Sequence, residues 1–450
     1  MPDLLRSTML LAALAFGLPA AAAPLRIQSA GEALAQDAAA YAAVEGLPLD
    51  EAVRRVRAQE ESVAATDALA AEFRTRLAGI AIDHAPYRIV VLLTGTAPVA
   101  PRILAAGGMT VPVIFRTGAL ATREQLVAAL ATHQAAIRAA LRRPPGIGVD
   151  PRSGQLVVMV SPADLVDEDA ASLATRLAAI AGVPVRIRVI GRPDLEVPEA
   201  DMAAAQDPQG EAAAPVPGPA RLAVVRGGGR VVGINPVDGR RYACTTGFAV
   251  TDGVRAGMVT AAHCPDEVRY IDKGADDVSL DFLGQWGWAH RDVQLHGTAA
   301  PAAPFFYADT AKSLVRPVEA VRRRAATRAG DLVCHRGERT GYSCSTVELT
   351  DFAPAGDLCG GPCTPTWVTA SGPTCKSGDS GAPVFVGTTA LGIVKGGSYR
   401  ADGSCVFYFY MSTDYLPDGW RVMMAPLVAP SVQRVVPAEA GAWPGHAAIR

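Results

Sequence analysis

The placement of cysteine constrains the fold of this chain more than any other sequence feature. All eight cysteines of the 450-residue chain lie at or after position 244. They are Cys244, Cys264, Cys334, Cys344, Cys359, Cys363, Cys375 and Cys405. An even count confined to one part of a chain indicates disulfides formed in an oxidising compartment. The close pair Cys359 and Cys363 has no second pair or nearby histidine, so we predict no metal site there.

The first 23 residues have the pattern of a secretory signal peptide. Arg6 precedes an apolar run at 9–19 that is too short to span a membrane, and residues 20–23 are small. A buried N-terminal helix is the alternative. We predict a secreted protein, extracellular or periplasmic, without a membrane span. The net charge of −2 argues against a nucleic-acid partner.

Residues 24–196 are predicted to form a helical segment followed by an α+β domain. Apolar residues at helical spacing within 32–77 indicate one or two amphipathic helices. The order that follows is strand, strand, helix, strand, helix, strand, at 87–93, 111–116, 124–141, 155–160, 165–181 and 183–190. His84 and His133 are isolated, so we predict no catalytic constellation in this region.

The composition changes twice after residue 196. Residues 197–219 are rich in Ala, Pro, Gly and acidic residues without periodicity, which is typical of an exposed linker and of a processing site. From 220 to 425, short apolar runs alternate with Gly, Pro and Asp, which predicts an all-β barrel or sandwich with 311–327 connecting its halves. The Pro- and Ala-rich tail 426–450 is predicted to be poorly ordered.

One turn of the β-rich part combines the residue types of a nucleophilic serine. It is CKSGDSGAPVF (375–385), with Ser380 between two glycines. A serine hydroxyl needs an adjacent base and backbone donors for the oxyanion. Gly378 lacks a Cβ and can turn its N–H toward the substrate, so the N–H groups of Gly378 and Ser380 are the predicted oxyanion donors. The stretch alone is equally compatible with an ordinary turn that enters a strand.

His263 and Asp292 are the predicted base and its orienting acid. His263 follows an apolar strand and adjoins Cys264, whose disulfide would fix the imidazole within reach of a serine. Asp292 begins a strand 29 residues later, where a buried carboxylate would hold the imidazole tautomer. A structural histidine beside a disulfide is the alternative for His263. Asp277 and Asp281 are the alternatives to Asp292 as the orienting acid. His290 and His296 could form a metal site with His263, but no carboxylate or cysteine cluster completes it.

Three motifs in chain order resemble the catalytic motifs of the chymotrypsin-like serine peptidases, namely TAAHC (260–264), RDVQLH (291–296) and SGDSGAPV (377–384). Their flanks are more similar to the secreted bacterial branch, the streptogrisins and α-lytic proteases. VCHRGERTGYSC (333–344) resembles the second disulfide loop of that branch, and GVDPRSGQLVV (148–158) resembles its pro-region. The resemblance extends over residues 85 to 425.

The resemblance implies an all-β catalytic domain of two six-stranded β-barrels, preceded by an α+β pro-domain, with the active site in the cleft between the barrels. It implies the pairs Cys244–Cys264, Cys334–Cys344 and Cys375–Cys405, and leaves Cys359 and Cys363 to close a short loop inside an insertion. It also implies that KGGS (395–398), through Gly396, Gly397 and Ser398, pairs with the substrate backbone as an added strand does. No cofactor is implied.

The chain departs from the family pattern near the nucleophile. Ala382 replaces the second glycine after the serine. His335 stands where the bacterial branch often has an arginine, with Arg336 next. That arginine would pair with Asp379, so the partner of Asp379 is an open question, and a poorly compensated buried acid is costly.

Specificity is predicted from the residues before Cys375. Residues 372–374 carry no carboxylate of the kind that binds Lys or Arg in trypsin-like members. We therefore predict cleavage after apolar or small side chains, with residues 407–410 lining or narrowing the pocket.

These features predict a secreted serine endopeptidase made as a zymogen. Residues 24 to 218 would aid folding and block the site until cleavage, because β-rich, disulfide-bonded enzymes fold slowly and persist through a high unfolding barrier. Protein or peptide substrates and a monomeric state are expected. One alternative is a chymotrypsin-like binding or adhesion module without turnover. Another is an esterase of a different fold, for which the helix after the nucleophile is missing.

Overall fold

The computed structural model describes residues 25–190, 224–272, 277–355, 359, 361–372, 374–400 and 402–426. We refer to residues 25–190 as the N-terminal region and to the described residues from 224 to 426 as the β-rich region. The predicted signal peptide and linker, and the predicted tail apart from residue 426, lie outside the described residues.

The α-helices of the described residues all lie in the N-terminal region. They are α1 (Ala30–Glu45), α2 (Leu49–Glu61), α3 (Val63–Glu72), α4 (Arg123–Ala139) and α5 (Ala170–Ala181). Helix α1 begins with a capping box between Ser29 and Glu32, and α4 begins with one between Thr122 and Gln125. Three helices occupy the stretch in which one or two were predicted, because the chain ends one helix at Ser62 and begins the next at once.

The strands of the N-terminal region are β1 (Arg26–Ile27), β2 (Leu77–His84), β3 (Tyr87–Thr94), β4 (Arg102–Ala106), β5 (Met109–Ala119), β6 (Gly146–Asp150), β7 (Gln155–Val160) and β8 (Val185–Val189). β2 to β5 form one sheet in the order β2-β3-β5-β4. The predicted strands and later helices are confirmed with small shifts of their ends. β1, β2, β4 and β6 were not predicted, and β6 (GIGVD) contains two glycines that weaken a strand pattern.

The strands of the β-rich region are β9 (Val225–Gly227), β10 (Arg230–Ile234), β11 (Arg241–Thr245), β12 (Ala249–Thr251), β13 (Ala256–Thr260), β14 (Val268–Ile271), β15 (Val278–Trp286), β16 (Val293–Thr298), β17 (Ala302–Tyr307), β18 (Leu314–Pro317), β19 (Ala320–Val321), β20 (Leu332–Gly337), β21 (Gly341–Ala353), β22 (Trp367–Ser371), β23 (Pro383–Val386), β24 (Thr389–Tyr399), β25 (Cys405–Ser412) and β26 (Arg421–Val422). Short 3₁₀-helices lie at Pro162–Leu165, Arg324–Ala326 and Thr413–Tyr415.

The second half of the β-rich region is a closed six-stranded barrel. Its strand order is β20-β23-β24-β25-β22-β21, and β21 pairs back with β20. Aromatic rings fill one side of its interior, where Phe352 contacts Phe407 and Phe409 edge-on and Trp367 contacts Phe409 in the same way. Such pairs stabilise a core beyond the area that they bury.

The first half of the β-rich region is an antiparallel sheet in the order β11-β10-β14-β15-β16-β13-β12-β26. β26, the last strand of the described chain, pairs with β12 and so adds an edge strand to the sheet of the first half. The predicted connector 311–327 contains β18, which pairs with β17, and β19, which pairs with β24. The predicted fold class, a chymotrypsin-like all-β part preceded by an α+β part, is confirmed.

The N-terminal region packs directly on the β-rich region. β6 pairs with the end of β21 at Asp351, Phe352 and Ala353, so that β6, β7 and β8 continue the sheet of the barrel. A second contact is the ion pair between Asp37 and Arg316 at 2.9 Å, with both side chains fully buried. The β6–β21 pairing gives hydrogen-bond partners to backbone groups, and the Asp37–Arg316 pair gives each buried charge an opposite charge. A specific interface requires both.

Four disulfides join the eight cysteines as expected. They are Cys244–Cys264, Cys334–Cys344, Cys359–Cys363 and Cys375–Cys405. In the part of the chain that the structure describes, no helix has the length and apolar character needed to cross a bilayer.

Candidate active site

His263 lies in the short loop that follows β13. The neighbouring Cys264 is bonded to Cys244 on β11, which ties this loop to the sheet. The side-chain amide of Gln285 donates a hydrogen bond to the carbonyl of Ala262 and holds the loop from β15. His263 is therefore held from both sides while its side chain remains partly exposed.

Asp292 precedes β16 and is buried beside His263. The Nδ1–H of His263 donates to Oδ2 of Asp292 at 2.9 Å, since a carboxylate can only accept. Burial opposes ionisation of Asp292, but the charges of Lys395 and His263 outweigh it and hold the pKa of this carboxyl well below its usual range. The rival Asp277 is instead paired with Arg269 at 3.0 Å.

Ser380 lies in a turn that the first half of the β-rich region holds in place. The hydroxyl of Thr245 donates to the carbonyl of Gly378 at 2.8 Å, and the N–H of Thr245 donates to the carbonyl of Ser380 at 2.9 Å. Ser380 Oγ lies 2.8 Å from Nε2 of His263. Because Nδ1 of His263 carries the proton toward Asp292, Nε2 of the neutral ring accepts from the serine hydroxyl.

Gly378 requires the absence of a side chain. Its φ of +99° lies in the left-handed region, and a Cβ there would come within 2.4 Å of Cγ of Arg339. The role of the Gly378 and Ser380 N–H groups as oxyanion donors stays a prediction. The left-handed backbone conformation at Gly378 is one that residues with a side chain rarely adopt.

Asp379 is held by four neutral donors. Oδ1 accepts from the N–H groups of Arg339 at 3.0 Å and Thr340 at 3.1 Å. Oδ2 accepts from the hydroxyl of Thr340 at 2.8 Å and the N–H of Lys376 at 3.0 Å. Arg336 points elsewhere and pairs with Glu338 at 2.9 Å. The partner of Asp379, open from sequence, is thus the turn between β20 and β21.

His335, the departure from the family pattern, is buried behind this turn. Its Nε2 lies 3.2 Å from Oγ1 of Thr340, and its ring packs at 4.7 Å from the ring of Tyr408. Burial lowers the pKa of His335, so it is neutral at physiological pH. A neutral histidine in this position supports the turn without supplying a charge to Asp379.

The predicted substrate strand lies at the end of β24. β24 pairs with β25 through Gly396, Gly397 and Ser398. On its other side, the pairing with β23 ends at Ile393. Among the described strands, none pairs with that second edge at Gly396 and Gly397. The pairing of this edge with a substrate backbone stays a prediction.

The cleft beside Ser380 has a volume of about 370 Å³. Its walls include His263, Ser380, Gly396 and Gly397 together with the aromatic side chains of Tyr399, Tyr408 and Phe409. Of the predicted stretch 407–410, Tyr408 and Phe409 line the cleft. Phe407 is fully buried and packs against Phe352 instead.

Lys395 is the site residue that sequence reasoning missed. Its ammonium lies 3.2 Å from Oδ2 of Asp292 and its side chain is 4% exposed. From the sequence, Lys395 was predicted only to begin the strand that pairs with the substrate. The available signal was a single lysine after the apolar run ALGIV, because a charge in a buried strand requires a partner.

Among the described residues, neither His290 nor His296 joins His263 in a cluster that could hold a metal ion. His296 is buried on β16 with its ring against Phe282 at 5.9 Å, and burial lowers its pKa to about 4. His290 packs on Tyr415 at 5.1 Å. Both therefore have packing roles, and the described side chains in mutual contact at the site are those of His263, Asp292, Ser380 and Lys395.

Two curated proteins are similar in sequence to part of this chain. The chain is 27% identical to streptogrisin-C of Streptomyces griseus over 169 residues, which are 37% of this chain and 35% of that protein. It is 28% identical to streptogrisin-D of the same organism over 173 residues, which are 37% of this chain and 41% of that protein. The chain thus spans well under half the length of these curated relatives.

Among solved structures, protease A of Thermobifida fusca is 21% identical, with a TM-score of 0.35 over 45% of this chain and 100% of that chain. No family profile matches the chain. The two streptogrisins confirm the predicted resemblance to the bacterial chymotrypsin-like serine peptidases.

Proposed function

From this resemblance, we propose that the chain is a serine endopeptidase that hydrolyses peptide bonds through Ser380, His263 and Asp292. The observation that carries the proposal is the line of contacts from the hydroxyl of Ser380 through the imidazole of His263 to the carboxylate of Asp292, at 2.8 and 2.9 Å. This arrangement of nucleophile, base and orienting acid is the one that acyl transfer requires.

In the proposed mechanism, Ser380 Oγ attacks the peptide carbonyl while Nε2 of His263 takes its proton. His263 then gives that proton to the leaving amine, and an acyl-enzyme remains on Ser380. Water, deprotonated by His263, attacks this ester and releases the acid product. Asp292 keeps the ring in the tautomer that leaves Nε2 unprotonated, and the N–H groups of Gly378 and Ser380 stabilise the oxyanion.

The proposed substrates are proteins or peptides with an apolar or small side chain before the cleaved bond. The free edge of β24 at Gly396 and Gly397 would pair with the substrate backbone. Tyr408 and Phe409 give the cleft an aromatic wall that favours apolar over charged side chains. A cleavage profile dominated by Arg or Lys would contradict this part of the proposal.

We further propose that the protein is secreted and that residues 24 to 218 act as a pro-region that aids folding and inhibits the site. The support is the contact surface of the N-terminal region. Asp37 forms a buried ion pair with Arg316. It also accepts hydrogen bonds from the hydroxyl of Tyr342 and the N–H of Gly387, both at 2.6 Å. Four disulfides in the β-rich region are consistent with an extracellular location.

One labelling experiment tests the proposal. The full chain, its Ser380→Ala variant and residues 219–450 expressed alone are treated with a fluorophosphonate, which reacts with activated serines. We expect label on the processed full chain, none on Ser380→Ala, and little on residues 219–450 because they lack the folding aid. Peptide hydrolysis should fall by roughly 10⁴- to 10⁶-fold in Ser380→Ala.

The control is Ser404→Ala, which removes an exposed serine of the same region and should keep the label. Equal labelling of Ser380→Ala would show that Ser380 is not the nucleophile. No label on the processed full chain would favour the alternative, a binding module without turnover. Full labelling of residues 219–450 would contradict the role of the pro-region alone.

A further inference from the structure

The ammonium of Lys395 is buried at the carboxylate of Asp292. Nζ lies 3.2 Å from Oδ2 of Asp292, and the side chains of both residues are 4% exposed or less. The same oxygen accepts the Nδ1–H of His263 at 2.9 Å. One carboxylate oxygen therefore contacts both the ammonium of Lys395 and the ring that is proposed to move the proton.

The surroundings of Lys395 hold its side chain in this place. Nζ lies 5.2 Å from the centre of the ring of Trp367, which is fully buried. An aromatic face attracts a cation, and the carboxylate supplies the opposite charge that a buried ammonium needs. The main-chain carbonyl of Lys395 also lies 3.5 Å from Oγ of Ser380. A single residue thus contacts both ends of the triad.

The position of the ammonium has a consequence for His263. Because both nitrogens contact the same oxygen, Nζ of Lys395 and Nδ1 of His263 are no more than about 6 Å apart. Two like charges at that distance in a partly buried site repel each other appreciably. Asp292 alone favours the imidazolium, and the ammonium beside it offsets that effect.

Other charged or titratable groups near the site are in different circumstances. Those that line the cleft in the described part of the chain are Asp266, Lys376, Asp379, His335 and the three tyrosines Tyr242, Tyr399 and Tyr408. Arg291 adjoins Asp292 in sequence. Asp266 and Lys376 are exposed and their effects are screened by salt. Asp379 is hydrogen-bonded to the β20–β21 turn, His335 is neutral, and Arg291 is paired with Asp418 at 2.7 Å. Lys395 is the buried cation that contacts the Asp292–His263 pair.

We propose that Lys395 is a positioning residue of the triad, a role that rests on the proposed function. Its buried ammonium holds the carboxylate of Asp292 in place and offsets its charge, so that His263 can act as a base at lower pH than Asp292 alone would allow. The expected benefit is activity that extends into mildly acidic medium.

The test compares Lys395→Met, Lys395→Gln and Lys395→Arg with the unchanged protein. The first readout is kcat/KM of the processed enzyme on a peptide substrate as a function of pH. Loss of the ammonium should move the acid limb of the profile upward by about one pH unit in the Met and Gln variants. The Arg variant keeps a cation and should stay within a few tenths of a unit. Gln can still donate a hydrogen bond to Asp292 but carries no charge. Comparing it with the Met and Arg variants therefore separates the effect of the charge from the effect of the hydrogen bond.

The second readout does not depend on turnover. The ring of His263 is titrated by NMR in the full chain labelled at histidine, with its signal assigned by its loss in His263→Ala. The Met and Gln variants should show the same upward movement of the midpoint, and if the Met variant does not fold, the Gln variant decides.

An unmoved midpoint in the Met and Gln variants overturns the proposal, as does an equal shift in all three. Because the NMR readout needs no catalysis, it tests Lys395 even if labelling of Ser380 fails. A failure of the proposed function is therefore distinguishable from a failure of this inference.

Discussion

The surroundings of Asp292 and Asp379, two buried aspartates near Ser380, compensate for burial in different ways. Asp292 is 2% exposed and faces the ammonium of Lys395 and the imidazole of His263. Asp379 is 1% exposed and faces three backbone N–H groups and one hydroxyl, all of them neutral. One carboxylate is stabilised by charges and the other by fixed dipoles.

The difference teaches which of the two sites can respond to protonation. Backbone N–H groups in a turn keep their dipoles at any pH, so three of the four donors to Asp379 do not change with protonation. The environment of Asp292 includes a ring that gains and loses a proton during the proposed reaction. We therefore expect changes at Asp292 to appear in catalysis and changes at Asp379 to appear in stability.

The largest expected effect is on turnover in Asp292→Asn. The amide no longer selects the tautomer that leaves Nε2 of His263 unprotonated, so kcat should fall by about 10⁴-fold. The variant also leaves the ammonium of Lys395 without its partner. Stopped-flow or steady-state kinetics on a peptide substrate measure the loss. Asp418→Asn, at an exposed carboxylate, is the control and should change kcat less than about twofold. A loss below tenfold in Asp292→Asn would contradict the proposed role of Asp292.

The second effect is on folding in Asp379→Asn. Asparagine has one acceptor oxygen, so its amide nitrogen would take the place of Oδ2. The hydroxyl of Thr340 can turn and accept from that amide, but the N–H of Lys376 would lose its acceptor. With a cost of about 1–3 kcal/mol for a donor left without an acceptor, we expect a loss of that size in the free energy of unfolding. Denaturant unfolding of processed protein measures it. Asp402→Asn, in an exposed turn, should cost far less. An unchanged free energy of unfolding in Asp379→Asn would show that the four donors do not stabilise the turn.

The third effect concerns His296, a buried group for which burial outweighs the opposing contributions of a backbone group of Leu280 and the charge of Asp281. Burial lowers its pKa to about 4 in the folded chain, whereas an unfolded histidine titrates near 6.5. As the pH falls, the histidine of the unfolded state therefore binds its proton at a higher pH than that of the folded state. Stability from this group is fully present above about pH 6.5 and is lost as the pH falls toward 4, by about 3 kcal/mol in total. Unfolding measured at several pH values should show this slope, and His296→Leu should flatten it. An equal slope in the two proteins would refute the assignment.

The sequence predicted the parts of the site that local patterns encode. His263, Asp292 and Ser380 lie in short motifs of recognisable spacing, and the structure brings their side chains together. The even cysteine count predicted disulfides, and the family resemblance supplied three of the four pairs. The strands rich in branched residues, such as β3 and β7, were also predicted because their composition decides their conformation.

The parts that were missed depend on contacts between distant segments. Lys395 and Asp292 are more than 100 residues apart in sequence, and nothing near either residue identifies the other. The same holds for Asp37 and Arg316 in the two regions of the chain. β6 was missed because its glycines hide it, and its conformation is set by pairing with β7 and β21. Tertiary context overrides local preference in each case.

The pairing between β6 and β21 has a consequence for the protein after processing. It covers only Asp351, Phe352 and Ala353 at the end of a strand whose other residues pair within the closed barrel. Departure of the N-terminal region would therefore uncover this edge of three residues and the edge of two residues, Leu314 and Val315, that β1 covers on β18. Such a short edge is a poor template for another chain, and natural sheets avoid edge-to-edge aggregation in this way. After the proposed release, the β-rich region would therefore present only short unpaired edges where the N-terminal region had paired with it.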